Sequence, residues 1–150
     1  MDNLFITVHE PLWRKYLPHY RALCRRVLSE LFDLKTTEIS LLLTDDKEIQ
    51  ELNKQYRKKD SPTNVLSFPM PPTGAPIWQA GDIVISLPTL LREAQEQSKS
   101  LTAHFTHLLI HSALHLQGYD HITPDEAQIM EKKEVQLLRR FGFDNPYELS

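Results

Sequence analysis

The chain has 150 residues, 41% hydrophobic and 25% charged, with a formal net charge of -3. That length and balance support one folded core and exclude global disorder, a membrane span of roughly 18 apolar residues and a chain-wide basic surface for nucleic acid. The single cysteine, Cys24, excludes a disulfide framework and a Cys-based zinc site. No basic segment leads into an apolar run at the N-terminus, so a reducing, cytoplasmic location is the expectation.

Taken in chain order, Leu4 to Val8 reads as a first strand, rich in β-favouring residues. A helix is expected from about Pro18 to Phe32, where Leu23, Val27, Leu28 and Leu31 recur at near-helical spacing and Cys24 reads as a small core residue. Ile39 to Thr44, a largely apolar run, reads as a buried strand. Asp45 or Asp46 can cap the helix that follows, which carries Ile49, Leu52 and Tyr56. Val65 to Phe68 and Asp82 to Ser86 are short strands. The proline-rich stretch between them, residues 69–76, can only be a loop, because proline fixes φ and lacks an N–H. Helices are then expected over 87–99, 101–117 and 124–141, with Ser100 capping the second and Gly118 providing its left-handed exit. Thr123-Pro124-Asp125-Glu126 is a strong helix start. Lys132, Lys133, Arg139 and Arg140, interspersed with Glu131 and Glu134, read as a solvated, ion-paired face of the last helix. Strands mixed with helices early and helices late make the fold class α/β (α+β), a single domain with a mixed sheet of about four strands packed with helices.

The chemistry concentrates in His111-Ser112-Ala113-Leu114-His115-Leu116-Gln117-Gly118-Tyr119-Asp120-His121. Two histidines four apart lie on one helix face, one turn apart, so both imidazoles reach one ion. A third ligand requires the helix to stop and fold back, which Gly118 permits and which delivers His121. Three imidazoles with a free fourth position are the donor set of a catalytic zinc site, although other divalent transition metals suit them too. His104 and His107 share the same face, so a mere polar stripe is the bland alternative. His107 can also face substrate or bond a backbone group. Asp120, beside the third ligand, can orient an imidazole or close an Asx-turn. Metzincin proteases use the same histidine spacing but need Glu directly after the first His; here that residue is Ser112, which cannot act as a base.

A second block runs from Leu52 to Pro69, and within it Lys54, Arg57, Lys58 and Lys59 with Tyr56 form a small phosphate-seeking patch with a possible stacking ring. Together the histidine block, the segment Tyr56 to Pro69 and Gly81-Asp82-Ile83 closely resemble the YbeY family of bacterial rRNA-maturation endoribonucleases. The resemblance implies a zincin-like fold with a central metal-binding helix. It implies one zinc ion per chain, held by His111, His115 and His121, and a functionally important arginine at Arg57. It further implies cleavage of single-stranded RNA in small-subunit (16S) rRNA 3′-end maturation and ribosome quality control, with ribosomal partners. Arg57 can grip two phosphate oxygens, and Lys54, Lys58, Lys59 and Tyr56 can guide the strand. Two residues depart from the family pattern: Ser112 replaces Gly, and Asn64 replaces Asp. The rival readings are a metallopeptidase-like hydrolase and a non-catalytic, zinc-containing ribosome-assembly factor.

Overall fold

The computed structural model describes residues 2–147. Four strands form one sheet: β1 (Leu4–Val8), β2 (Thr37–Thr44), β3 (Val65–Pro69) and β4 (Trp78–Ser86). Six helices surround them: α1 (Leu12–Tyr16), α2 (Tyr20–Leu31), α3 (Asp46–Arg57), α4 (Leu87–Glu96), α5 (Leu101–Leu116) and α6 (Pro124–Arg140). The sheet order is β1-β2-β4-β3; the first three run parallel, and β3 pairs antiparallel with β4. The expected mixed α/β architecture is therefore observed.

Alternation along the strands divides the core. Ile39, Leu41, Leu43, Ile83 and Ile85 point into the main cluster beneath α2, α4 and α5, whereas Val84 and Leu66 join Ile49 of α3 on the opposite face. β2 is thus buried on one face and half-buried on the other rather than uniformly enclosed. α5 is apolar almost all round and lies in the main core, packed against α2, α4, α6 and β3. This burial fixes the helix that carries the histidines.

The expected caps form: Asp45, Ser100 and Thr123 accept the N–H groups of Glu48, Ala103 and Glu126. Each such cap stabilises its helix by about 1 kcal/mol. One helix and several boundaries differ from the sequence expectation. The short helix α1 had no periodic signal, yet it buries Trp13 completely against Phe105, with the indole N–H on the Thr44 carbonyl at 2.9 Å. α2 begins at Tyr20, beyond Pro18, and α4 stops at Glu96. β4 starts four residues early, because a register irregularity at Glu38/Ile39 lets the strand continue through Gly81. Gly81 sits at φ +141, and a Cβ there would overlap the Phe68 carbonyl oxygen. Only glycine suits that position.

Candidate metal centre

α5 ends in a Schellman turn. The N–H of Gly118 (φ +101) bonds the His115 carbonyl, and the N–H of Tyr119 bonds the Leu114 carbonyl, both at 3.0 Å. The turn returns the chain across its own helix end and brings His121 to His111 and His115. One nitrogen from each of the three rings lies within 4.8 Å of the others.

Hydrogen bonding assigns the tautomers of the first two rings. His111 Nδ1 faces Glu134 Oε1 at 3.1 Å, and His115 Nδ1 faces the Tyr119 carbonyl at 3.0 Å. Both partners are acceptors, so each Nδ1 carries the proton and each Nε2 is left as a lone pair. Those two Nε2 atoms face each other at 3.2 Å. Two ligands bound at ~2.0–2.1 Å from one tetrahedral ion would stand about 3.3 Å apart. His111 and His115 therefore fit a shared metal ion in identity, protonation and spacing, and His121 adds a third nitrogen within 4.8 Å. Burial, reinforced by the neighbouring His111 and His121, lowers the pKa of His115 and keeps its ring neutral.

Glu134 was expected on a solvated face, and the structure corrects this. It is fully buried, in line with Met130, Leu137 and Leu138 on the inner stripe of α6. Its carboxylate also accepts His107 Nε2–H at 2.9 Å and the Tyr147 hydroxyl at 2.7 Å. Burial alone would raise its pKa, but the bonds from His107, His111 and Tyr147 outweigh that effect and hold it at about 2. His107 thus turns toward the carboxylate rather than to substrate or backbone. The signal for Glu134 was present but unread: a lone acid within an apolar helical stripe.

Around the triad is a cleft of about 580 Å³ whose rim includes Arg57, Lys59, Asn64 and Asp120. Arg57 ends α3. One guanidinium nitrogen donates to the Ser67 carbonyl at 2.6 Å, and the group lies over the Phe68 ring at 5.3 Å. These contacts aim a planar cation along the cleft edge. Lys54 instead approaches Asp60 at 3.9 Å, and Lys58 takes up the left-handed cap of α3. Tyr56 packs edge-on against Phe68 and lines a different groove, of about 550 Å³, on the face of the sheet that carries α3. Among the four cations and the aromatic of the basic patch, only Arg57 and Lys59 line the histidine cleft. Asp120 accepts the backbone N–H of His121 at 2.8 Å, and the Tyr119 carbonyl takes Nδ1 of His115.

Both departures from the family pattern have local settings. Asn64 donates to Glu93 at 2.9 Å, and Glu93 in turn takes His104 Nε2 at the same distance. An aspartate at position 64 would set a second carboxylate against Glu93. The Ser112 hydroxyl is buried and has no hydrogen-bond partner among the described residues. No helix among the described residues is long and apolar enough to cross a membrane.

The family described as Endoribonuclease YbeY matches residues 12–142. The relative named Endoribonuclease YbeY from Alteromonas mediterranea is 48% identical over 116 residues, covering 77% of this chain and 73% of that protein. Its namesake from Colwellia psychrerythraea is 49% identical over 111 residues, covering 73% and 72%. The fold is similar to the solution structure of TM1509 from Thermotoga maritima, with TM-score 0.56 and 23% identity over 97% of this chain and 99% of that one. A family match that takes in α5, its turn and α3, together with relatives near half identity, means that the chain belongs to the Endoribonuclease YbeY family.

Proposed function

We propose that this protein is a zinc-dependent endoribonuclease, a single catalytic domain that cuts single-stranded RNA. Its place is the cytoplasm, in small-subunit (16S) rRNA 3′-end maturation and ribosome quality control, where ribosomal or assembly proteins are its partners. The observation that carries the reading is the pair of opposed Nε2 lone pairs, 3.2 Å apart, in a cleft edged by Arg57 and Lys59. His111, His115 and His121 would hold one zinc ion, which supplies Lewis acidity at the phosphorus centre when bound.

The chain's own groups do the rest. Arg57, braced by the Ser67 carbonyl and the Phe68 ring, meets the negative charge that builds on the phosphoryl oxygens during cleavage. Lys59 draws the strand into the cleft, and Lys54, Lys58 and Tyr56 extend the attraction outside it. Glu134 holds the proton on His111 Nδ1 and keeps Nε2 free for the ion.

A peptidase would need a base beside the triad. Ser112 is buried in α5, and Glu134 sits behind His111, on the Nδ1 side, with its oxygens already engaged. Neither can take a proton from a nucleophile in the cleft; the carboxylate on its rim is Asp120, one oxygen of which accepts the backbone N–H of His121.

The test compares wild type with His115→Ala on single-stranded and duplex RNA, with metal content measured alongside. Wild type is expected to carry zinc and cut the single strand, and the variant to lose both properties. Cleavage that survives in metal-free His115→Ala refutes the proposal. RNA binding without turnover in zinc-loaded wild type would instead support the assembly-factor reading.

A further inference from the structure

His115 and Asp120 border two clefts, not one. Beyond the triad cleft lies a second, of about 420 Å³, that shares Pro69, His115 and Asp120 with it. Its wall is made by Met70, Pro71, Pro72, Trp78 and Tyr119. The two clefts differ in chemistry. Arg57 and Lys59 edge the first, whereas among the described residues no Lys or Arg lines the second.

The second cleft is poorly suited to phosphate. Asp120 brings negative charge to both clefts, but here no Lys or Arg offsets it; the prolines have no N–H, and the N–H of Met70 is engaged by the Ala80 carbonyl at 3.0 Å. It is well suited to a flat, uncharged ring. Trp78 is fixed by its indole N–H on the Met70 carbonyl at 3.0 Å and by edge packing on Phe32 at 6.1 Å. A ring already immobilised loses little freedom when another ring packs on it. Met70, 53% exposed, adds a soft thioether beside the prolines.

We propose that this second cleft is a nucleobase subsite: an unpaired base next to the phosphate at the triad turns out of the strand and packs among Trp78, Met70 and the proline wall. The inference rests on the endoribonuclease reading and deepens it. Phosphate is attracted on one side of the His115–Asp120 border, and a base is received on the other. A base locked in a duplex is paired and stacked and cannot enter, so the cleft itself supplies a preference for single strands.

The zinc-loaded full chain tests this by steady-state cleavage of a mixed-sequence, single-stranded RNA oligonucleotide. Trp78→Leu is expected to raise KM about 5- to 150-fold, the range for loss of one base–aromatic stack. The kcat and the zinc content should hold. Met70→Ala should raise KM severalfold in the same assay. A KM within twofold of wild type in folded Trp78→Leu overturns the subsite. Should that variant fail to fold, the wild-type protein's own fluorescence decides. Of the two tryptophans, Trp13 is fully buried, so RNA-dependent quenching reads Trp78. Emission unchanged at saturating single-stranded RNA overturns the subsite; marked quenching supports it. Wild type that neither binds nor cuts RNA refutes the endoribonuclease reading as well. Wild type that cuts single strands, beside a Trp78→Leu with unaltered KM, refutes the subsite alone.

Discussion

Replacing Glu134 with alanine removes an acceptor shared by His107, His111 and Tyr147. Each donor left without a partner in the interior costs roughly 1–3 kcal/mol, while the desolvation penalty of the carboxylate itself is relieved. Set against each other, these leave a net loss of a few kcal/mol. The metal adds a second loss. Without Glu134 the proton on His111 is free to move to Nε2, and loss of such an outer acceptor lowers metal affinity roughly 10- to 100-fold. Under excess zinc that weaker binding removes a further ~1.4–2.7 kcal/mol of linked stability. The assay is urea unfolding of wild type and Glu134→Ala, each in chelator and in excess zinc, with zinc affinity measured by chelator competition. The deficit is expected to be larger in zinc than in chelator by that linked amount. An equal deficit in both buffers, with zinc affinity within twofold of wild type, would refute the role assigned to Glu134 at the metal centre.

The remaining predictions concern other parts of the molecule. Arg57→Ala should lower kcat on single-stranded RNA by about 100-fold or more with zinc content unchanged, and Arg57→Lys should restore little, because an ammonium cannot both hold the Ser67 carbonyl and offer a planar fork. A kcat within threefold of wild type would contradict this. Gly81→Ala should cost about 3 kcal/mol or more in urea unfolding, since its Cβ would meet the Phe68 carbonyl and come within 2.9 Å of Leu116 Cδ2 at a left-handed φ. Asp46 links α3 to α4: burial raises its pKa, but Ser86, Thr89 and Arg92 outweigh burial and hold it below the ordinary 3.8. A depressed carboxyl contributes stability in full above its unfolded value and loses it as pH falls through the folded one. Unfolding midpoints of wild type should therefore fall on acidification below about pH 4 more steeply than those of Asp46→Asn; parallel curves would contradict the sign.

The histidine cluster could be read from sequence because helical geometry relates positions 111 and 115, and Gly118 permits the turn that returns position 121. The Schellman bonds at Gly118 and Tyr119 express that local code directly. β4 was read too short for an equally local reason: Gly81 resembles a break, yet here a glycine keeps the strand going past the Phe68 carbonyl. α1 escaped because five residues are too few to display a period, and its hold on the core comes through one side chain, Trp13. Glu134 needed more than local information. Its place among Met130, Leu137 and Leu138 marks it as an inward-facing acid, but its partners lie 23 and 27 residues back in α5 and 13 residues on at Tyr147. The basic patch divided along similar lines. Clustering at residues 54–59 signals attraction to phosphate, whereas the rotation of α3 over the sheet decides that Arg57 edges the triad cleft and Tyr56 the opposite groove.

The centre is organised from behind. Glu134 reaches His111 from α6, and the Tyr119 carbonyl reaches His115 from the turn, each taking Nδ1 and leaving Nε2 directed into the cleft. Those two Nε2 atoms stand 3.2 Å apart. Folding therefore supplies the geometry that a shared cation would use. The acceptors are themselves held in place, Glu134 within the apolar stripe of α6 and the Tyr119 carbonyl by the Schellman bond that also redirects the chain to His121. Rotating either ring away would strand a buried acceptor, so the rings have no inexpensive escape from one another.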